Sequence, residues 1–527
     1  MKKEVIKIAS KIITALLSFA ITVLGVIGVQ VNRVWPTSEK VDNNLNTNQT
    51  VVDENAEYQT MTGFGASACW WAKDVGAWEN AEDILAYLYD KETGIGLNIY
   101  RYNLGAGSVG DENMYVINNR TETFLKADGT LDFTADANAQ KALSIAEQLA
   151  GDNLRVALFA NSAPVSLTKN GKAYGAPAAD DAPMESNLDP KNYEAYADYL
   201  YACAEYFLKE GYRVVDVSAI NEPQYAWRAW YNADGSFSCN QEGCHYEPQE
   251  VLELLQVLVS KFDNSKVDRQ GCKVSMFESG EIQGQWSVPA SYIDLLLTVN
   301  KEDYFYNRSI RKYFDTVTTH SYWSSTETKQ QAADYMNANY PNYNIACTEY
   351  CQMSNDWNTG VHDILENSGA TNGLGMDFGL AMANVMMDDL TILNAVEWNW
   401  WIGCSYGVYT DGLVYIDAND HSNITTSKRL WCLGNFSKFI DEGAVRLACS
   451  SGVADLRSAA FRNPNGETVL VYINNADTAL TTDLTSVSKN SCSVYVTDAD
   501  NDLAKVALDG NMLSVPAKSV VTVVFDA

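Results

Sequence analysis

The sequence contains little histidine and an unbalanced set of charges. Four of its 527 residues are histidine, and no two of them form the His-x-x-x-His pair of a helical zinc site. We therefore expect no resident metal ion and no cofactor. Lys and Arg total 37 against 67 Asp and Glu, a formal net charge of −30. This excess repels nucleic acid and anionic membrane surfaces, whereas a neutral partner such as a sugar is compatible with it.

Motifs of two common enzyme classes are also absent. The sequence has neither a G-x-x-x-x-G-K-[ST] phosphate loop nor the G-x-S-x-G elbow of serine hydrolases. Aromatic residues, in contrast, are abundant, with 13 Trp and 30 Tyr. Most of them are expected in the core, but sugar rings also stack on aromatic faces. The composition therefore favours a globular protein that handles a neutral ligand.

Eleven cysteines form an odd set, so at least one thiol must stay free. Cys239 and Cys244 lie in one polar loop, and in an oxidising compartment they are candidates for a small disulfide. Most of the other cysteines sit among apolar neighbours, which is typical of buried free thiols.

The N-terminus has the pattern of an export segment. Four lysines within residues 1–11 precede residues 12–31, which carry no charged side chain and are long enough to span a bilayer. No A-x-A cleavage site follows, so residues 1–36 are interpreted as a signal anchor rather than a cleaved signal peptide, although both remain open. Either alternative places the protein outside the cell, at the surface or secreted. Residues 37–50, rich in Asn, Thr and Ser, are interpreted as a linker.

Strands and helices alternate through the middle of the chain, as expected for an α/β fold with a parallel sheet. The pattern predicts a (β/α)8 TIM barrel over residues 63–438 and an all-β C-terminal sandwich over residues 439–527. A strand at 51–62 is expected to join that sandwich. The eight barrel strands are predicted near 63–68, 97–103, 154–161, 214–220, 272–278, 315–320, 344–349 and 394–400.

The clearest predicted helix precedes the fourth strand. Asp189 is a suitable N-cap, Pro190 fits the first turn, and Gly211 follows the helix end. One face is apolar, which predicts that this face packs inward. Its residues are Tyr193, Tyr196, Ala197, Leu200, Ala204 and Phe207.

Two buried strands end abruptly in a glutamate. Val214–Pro223 contains Glu222, and Tyr343–Tyr350 contains Glu349. Because the carboxyl ends of barrel strands meet at one rim, these carboxylates are expected to converge. A pair of this kind performs glycoside hydrolysis, with Glu222 as general acid and base and Glu349 as nucleophile.

Other strand ends carry polar and aromatic side chains, the pattern of a carbohydrate cleft. Asn221 is expected to bind the sugar 2-hydroxyl, and Arg101 or Tyr322 is expected to keep Glu349 ionised. The candidate substrate-binding residues are Trp70, Arg101, Asn103, Asn161, Asn221, His320, Tyr322, Trp323, Trp398 and Trp400.

Seven segments resemble glycoside hydrolase family 30, and within it the branch of endo-β-1,6-galactanases. The resemblance extends over roughly residues 55–525. It implies a barrel with a sandwich built from both ends of the chain. It also implies that Glu222 is the acid/base, that Glu349 is the nucleophile, and that neither Glu278 nor Glu281 is, so these two are assigned to a subsite or the rim. The segments are Gly63–Ser67, Arg101–Gly105, Asn161–Pro164, Ala219–Gln224, Gln241–Tyr246, His320–Trp323 and Thr348–Tyr350.

The resemblance implies further that Arg101, Asn221, His320 and Tyr322 line the sugar subsite at the scissile bond. The expected function is a retaining endo-glycosidase acting on neutral β-linked polysaccharide, in the first place β-1,6-galactan. The protein is expected to act as a monomer that contacts the membrane only through its N-terminal segment. Two alternatives stay open. One is a hydrolase of the same family acting on β-1,6-glucan, xylan or a glucosyl lipid, and the other is a non-catalytic surface protein that binds carbohydrate.

Overall fold

The structure, a computed structural model, describes residues 47–179, 181–285, 292–297, 313–368, 373–407, 409–487 and 491–527. The predicted anchor or signal peptide at 1–36 and most of the predicted linker lie outside the described residues. Within those ranges no helix has both the length and the apolar character that crossing a bilayer requires.

Eight parallel strands form a closed barrel, as the sequence pattern predicts. Seven of the eight neighbouring pairs are hydrogen-bonded ladders. The fifth and sixth strands meet through the single bridge Ser279–Thr319. The strands are β1 (Gly63–Ser67), β2 (Ile99–Asn103), β3 (Arg155–Phe159), β4 (Val214–Ser218), β5 (Lys273–Val274), β6 (Thr316–His320), β7 (Asn344–Glu349) and β8 (Ala395–Ser405).

The barrel strands are buried on both faces because helices cover the outside of the sheet. Every residue of β1 and β2 is buried, including the polar ones. The described helices are Ala72–Val75, Ala81–Tyr89, Ala137–Ala150, Tyr193–Lys209, Pro248–Phe262, Tyr292–Leu297, Thr326–Asn339, Val361–Ser368, Met376–Thr391 and Lys428–Ser437. Two antiparallel pairs accompany the barrel: Trp230–Tyr231 with Phe237–Ser238, and Gly412–Ile416 with Ile424–Thr426.

The helix Tyr193–Lys209 forms as its sequence predicts. The Asp189 carboxylate accepts a hydrogen bond from the backbone N–H of Lys191, and Gly211 after the helix end has φ +101°. All six predicted apolar positions are buried. Tyr196 donates a 3.0 Å hydrogen bond from its hydroxyl to the carbonyl of Ala219. The helix is thereby fastened to the segment that leads from β4 to Glu222.

The C-terminal module is a β-sandwich, as predicted. A two-stranded layer, Leu480–Asp483 with Met512–Val515, faces a larger sheet across a shared apolar core. The larger sheet has seven strands in the spatial order Val51–Thr60, Val445–Ser450, Leu456–Arg462, Thr468–Asn474, Ser519–Phe525, Cys492–Thr497 and Ala504–Val506. Its first strand precedes the barrel in sequence, so both ends of the described chain meet in this sheet.

The large sheet contributes to two cores because side chains alternate along its strands. In Thr468–Asn474, Leu470 and Tyr472 pack inside the sandwich. The intervening residues Val469 and Val471 belong to the core shared with the barrel. At that interface Asn435 donates a 3.0 Å hydrogen bond from its side-chain amide to the hydroxyl of Thr522. Sandwich and barrel are therefore packed through a common apolar layer.

The predicted linker at 37–50 ends too late in the sequence, because its last residues are part of the sandwich. The backbone N–H of Asn48 donates to the carbonyl of Gly452 at 3.0 Å, and that of Thr50 donates to the carbonyl of Asp483 at 2.9 Å. The hydroxyl of Thr50 is buried and lies 2.8 Å from that of Tyr472. The polar composition typical of linkers was misleading here because these side chains find hydrogen-bond partners in the sandwich.

Candidate active site

Glu222 follows β4 in a conformation that is unusual for a residue with a side chain. Its φ is +47°, in the left-handed region that costs a residue other than glycine about 1 kcal/mol or more. Two hydrogen bonds hold it there. Its N–H donates to the carbonyl of Glu278 at 2.7 Å, and its own carbonyl accepts from the indole N–H of Trp227 at 2.9 Å. The backbone at Glu222 is therefore fixed by neighbours on both sides.

Glu349 is the last residue of β7 and its side chain is buried. Its Oε2 accepts from Nη1 of Arg101 at 2.5 Å, and its Oε1 accepts from the hydroxyl of Tyr322 at 3.0 Å. Arg101 comes from β2, which is three strands away from β7 around the barrel. Both residues expected to act on this carboxylate are therefore in contact with it.

His320, the last residue of β6, lies between the two glutamates and is fully buried. Its Nδ1 is 2.8 Å from Oε1 of Glu222 and 3.5 Å from Oε1 of Glu349. The ring nitrogen and one oxygen of each carboxylate all lie within 4.8 Å of one another. The two carboxylates thus face each other at the carboxyl end of the barrel.

The charges in this cluster stabilise one another. Burial by itself lowers the pKa of His320, but the carboxylates of Glu349, Glu222 and Glu278 raise it to about 10. Burial raises the pKa of Glu349, while His320 and Arg101 lower it and Glu222 raises it again. The two carboxylates therefore have different partners: Glu349 is bound by Arg101 and Tyr322, whereas Glu222 lies beside His320.

Glu278 does not lie on the rim, so that alternative in its assignment was wrong. It is 2% exposed, and its Oε2 accepts from Nη2 of Arg101 at 2.8 Å and from the hydroxyl of Thr348 at 2.6 Å. The same oxygen is 3.2 Å from Nε2 of His320. The prediction failed because these partners come from three other strands. Glu281, in contrast, is only partly buried and accepts from the amide of Gln283 at 2.6 Å.

Three asparagines surround the carboxylates, and two of them have unused polar atoms. Asn221 Oδ1 accepts from Nη2 of Arg101 at 3.4 Å. Asn161 contacts the thiol of Cys69 through Nδ2, but its buried Oδ1 has no hydrogen-bond partner among the described residues. Within the same ranges, both amide atoms of buried Asn103 also lack a partner. Buried polar atoms of this kind are normally satisfied, so a polar ligand suits this position.

A cleft of about 700 Å³ is lined in part by Cys351, two residues after Glu349, although neither catalytic candidate glutamate borders it. Trp70 and Trp401 line it, with ring centroids 5.4 Å apart and planes at 85°. Near Tyr322, the ring of Trp323 packs at 5.6 Å, and its indole N–H is 3.3 Å from Oδ1 of Asn355. Trp70 therefore borders the cleft, whereas Trp323 lies beside Tyr322 and is not among the residues that line it.

Trp398 and Trp400 point away from the cleft, so their assignment as substrate-binding residues was wrong. Both are completely buried. Trp398 donates a 2.9 Å hydrogen bond from its indole to Asp389, on the outer helix Met376–Thr391. Trp400 packs near Tyr350 and the guanidinium of Arg429.

The sequence analysis missed Trp401, although a signal for it was present. Side chains alternate along a strand, and in β8 Glu397 lines the interior of the barrel together with Thr318 and Thr348. Counting two and four residues on from Glu397 places Asn399 and Trp401 on the interior face, and Trp398 and Trp400 on the exterior face.

Cys239 and Cys244 do not form a disulfide; all eleven cysteines are free thiols. The two sulfurs instead donate to nearby carbonyls, Cys239 to Gln241 at 3.2 Å and Cys244 to His245 at 3.5 Å. The loop is fastened by the buried carboxylate of Glu242, which accepts from the backbone of residue 106 at 3.0 Å and from the hydroxyl of residue 108 at 2.7 Å. Burial raises the pKa of Glu242 to about 7.

Residues 47–415 match a family described as O-glycosyl hydrolase family 30, and residues 443–523 match the family 30 β-sandwich domain. An endo-β-1,6-galactanase of Hypocrea rufa is 22% identical over 462 residues, which is 82% of this chain and 83% of that protein. A conserved exported protein from Bacteroides fragilis has a TM-score of 0.74 at 24% identity, covering 90% of this chain and 100% of the other. The catalytic domain of a family 30 xylanase C from Talaromyces cellulolyticus has a TM-score of 0.63 at 20% identity, with 91% and 100% covered.

The opposite orientations of Trp401 and Trp398 predict different effects of mutation. Trp401→Ala removes one wall of the cleft and is expected to raise KM on a polysaccharide substrate about tenfold, roughly 1.4 kcal/mol. Trp398→Phe removes the hydrogen bond to Asp389 and should lower the free energy of unfolding by about 1–2 kcal/mol. Its KM should stay unchanged. Steady-state kinetics and urea unfolding distinguish the two variants, and an equal rise of KM in both would contradict the orientation of Trp398.

Proposed function

The chain belongs to O-glycosyl hydrolase family 30, and from this premise we propose that it is a retaining endo-glycosidase that hydrolyses β-1,6-galactan. The observation that carries the retaining mechanism is the approach of Glu222 and Glu349, whose oxygens lie within 4.8 Å of each other. Retaining enzymes hold their carboxyl groups roughly 5–5.5 Å apart, whereas inverting enzymes need about 6.5–9.5 Å to admit a water molecule. The shorter spacing leaves room for the sugar carbon alone.

The site supports a double displacement. In the first step an oxygen of Glu349 attacks the anomeric carbon, and Glu222 gives its proton to the departing glycosidic oxygen. In the second step Glu222 takes a proton from water, the water oxygen attacks the same carbon, and Glu349 leaves. Two inversions restore the starting configuration. Arg101 and Tyr322 bind the carboxylate of Glu349 in both of its ionised states, before attack and after release.

The lining of the cleft favours a neutral substrate. None of the described residues that border it is a lysine or an arginine, and its amide side chains come from residues 118, 119, 240 and 241. A uronate-bearing polysaccharide needs cations in the site to balance its charge, whereas hydroxyl groups suit amides and aromatic rings. The relative from Hypocrea rufa is an endo-β-1,6-galactanase, and β-1,6-galactan is neutral.

Action within a chain rather than at its end is supported by the size of the cleft. Its volume is about 700 Å³, and its lining includes Trp401, Tyr406 and Tyr409. This is in the upper part of the range for ligand pockets, roughly 300–1,000 Å³. Sugars beyond the one that is cleaved can therefore bind in this cleft.

Export of the protein is part of the proposal, because lysines and then an uncharged run open the sequence. Fractionation of cells that express the full chain tests it. The protein should be accessible to protease added to intact cells and should leave the membrane fraction only with detergent. Protection of the protein in intact cells would contradict export, and release of the full-length chain without detergent would contradict the anchor.

Azide rescue tests the roles of the two glutamates. Glu349→Ala and Glu222→Ala should each lower kcat on an aryl β-glycoside by at least about 10³-fold, since each lacks one of the two groups. With Glu349→Ala, azide should replace the nucleophile and give the α-glycosyl azide. With Glu222→Ala, azide should react with the glycosyl-enzyme and give the β-glycosyl azide. Glu281→Gln is the control, because it alters a neighbouring carboxylate and should give no glycosyl azide. If Glu349→Ala gave the β-glycosyl azide and Glu222→Ala the α-glycosyl azide, the two roles would be reversed.

A substrate panel tests the specificity. Purified β-1,6-galactan, β-1,6-glucan and a glucuronate-bearing xylan are incubated with the full chain, and the products are separated by size. Galactan should be cleaved to oligosaccharides at least about 10²-fold faster than the other two, because the cleft offers no cation for a uronate and its amides are placed for one arrangement of hydroxyls. Faster cleavage of another polymer would contradict the proposed substrate and leave the proposed retaining mechanism standing. Release of monosaccharide alone would contradict endo action.

A further inference from the structure

We propose that Glu278 is a positioning residue whose negative charge keeps His320 doubly protonated, so that His320 donates through Nδ1 to the two catalytic glutamates. The inference deepens the proposed function, because it takes the roles of Glu222 and Glu349 from it. No role in the reaction follows for Glu278 from its position in the sequence. Its carboxylate does not face the cleft, and it acts only through the residues that it contacts.

Both ring nitrogens of His320 lie close to carboxylate oxygens. Oε2 of Glu278 lies 3.2 Å from Nε2 of His320, while Nδ1 on the other side of the ring lies 2.8 Å from Glu222. A neutral imidazole has a proton on only one nitrogen. Both nitrogens here face carboxylate oxygens, so an imidazole that satisfies both contacts as a donor must carry two protons.

The charges around His320 also balance when its ring is a cation. Three carboxylates, those of Glu222, Glu278 and Glu349, surround the two cations Arg101 and His320. Arg101 divides its guanidinium between Glu278 and Glu349, at 2.8 and 2.5 Å. With Glu222 protonated, as its proposed role as general acid requires, two negative charges balance two positive charges. Because buried charge is costly unless it is paired, this neutral state is the favoured one.

Glu278 is well suited to supply one of those negative charges. Burial acts to raise its pKa, but Arg101 and His320 hold the pKa well below that of an ordinary glutamate. The hydroxyl of Thr348 donates to the same oxygen at 2.6 Å. Its main chain is equally fixed, because its N–H donates to Ile220 at 2.9 Å. The charge is therefore permanent and its position is fixed relative to Glu222.

The protonation of His320 matters for where the proton of Glu222 goes. A neutral His320 with its proton on Nε2 presents a lone pair at Nδ1, and the nearest partner is Oε1 of Glu222. Glu222 would then donate its proton to the histidine instead of the glycosidic oxygen. A doubly protonated His320 can only donate, which leaves the proton of Glu222 available to the leaving group.

Other titratable groups around His320 do not replace Glu278. The phenol of Tyr322 is neutral, because burial raises its pKa well above the ordinary value. The thiols of Cys69 and Cys351 are neutral for the same reason. Glu281 is partly buried beyond Glu222, and no described contact joins it to the ring. Among the described residues, the carboxylate on Nε2 is that of Glu278.

Nitrogen-15 NMR of the full chain labelled at histidine tests the inference without any substrate. The sequence has four histidines, and His320→Gln identifies the signals of residue 320. In the unaltered protein both ring nitrogens of His320 should keep the shifts of an imidazolium up to about pH 9. Titration of His320 at an ordinary pKa, about 6.5, would overturn the inference.

Variants then separate charge from packing. Glu278→Gln should lower the titration midpoint of His320 by about one to three pH units, because an opposite charge is lost. Glu278→Asp should restore most of that shift, and Glu281→Gln should leave the midpoint unchanged. An unchanged midpoint in Glu278→Gln, or an equal fall in Glu281→Gln, would overturn the inference. Absence of glycosidase activity in a protein whose His320 behaves as expected would instead contradict only the proposed function.

Discussion

A buried guanidinium shared by two carboxylates holds the mouth of the barrel together. Arg101 donates to Glu349 with one terminal nitrogen and to Glu278 with the other. Transfer of these charges out of water is expensive, and only their mutual pairing offsets the cost. The strands that carry them, β2, β7 and the end of β5, lie on different sides of the barrel. The ion pairs therefore connect strands that the hydrogen-bonded ladders do not join directly, and the glutamates are held in place before any substrate arrives.

The interior of the barrel is polar at the carboxyl ends of its strands. The outer helices and the sandwich supply the apolar burial that this region lacks. Polar groups packed between strands contribute little apolar burial, so stability must come from the layers outside them. The outer faces of β8 and of the surrounding helices supply large buried rings, including those of Trp398 and Trp400. The sandwich adds a further apolar layer through Val469 and Val471. Residues that do chemistry and residues that stabilise the fold thus occupy opposite faces of the same strands.

The sequence was informative where a feature is local. All eight barrel strands follow from runs of buried residues, and the helix Tyr193–Lys209 follows from its cap, its proline and its apolar face. It was less informative where a feature depends on contacts between distant segments. The partners of Glu278 lie on three other strands, so the burial and charge of this residue were not visible from its neighbours. The error at Trp398 and Trp400 had a simpler cause. Abundant tryptophan at a strand end is typical of a carbohydrate cleft, but the alternation of side chains decides which ring faces it.

The place of the strand Val51–Thr60 has a consequence for biosynthesis. Val51 pairs with Ser450, so the strand leaves the ribosome roughly 400 residues ahead of its partner. At about 5–20 residues per second, that interval lasts on the order of tens of seconds. During this time the backbone N–H and C=O groups of the strand have no neighbouring strand to pair with. An unpaired strand of this kind can pair wrongly with other chains. The first strand of the described chain therefore acquires its neighbour only after residues 445–450 have been synthesised, and correct assembly of the sheet waits for them.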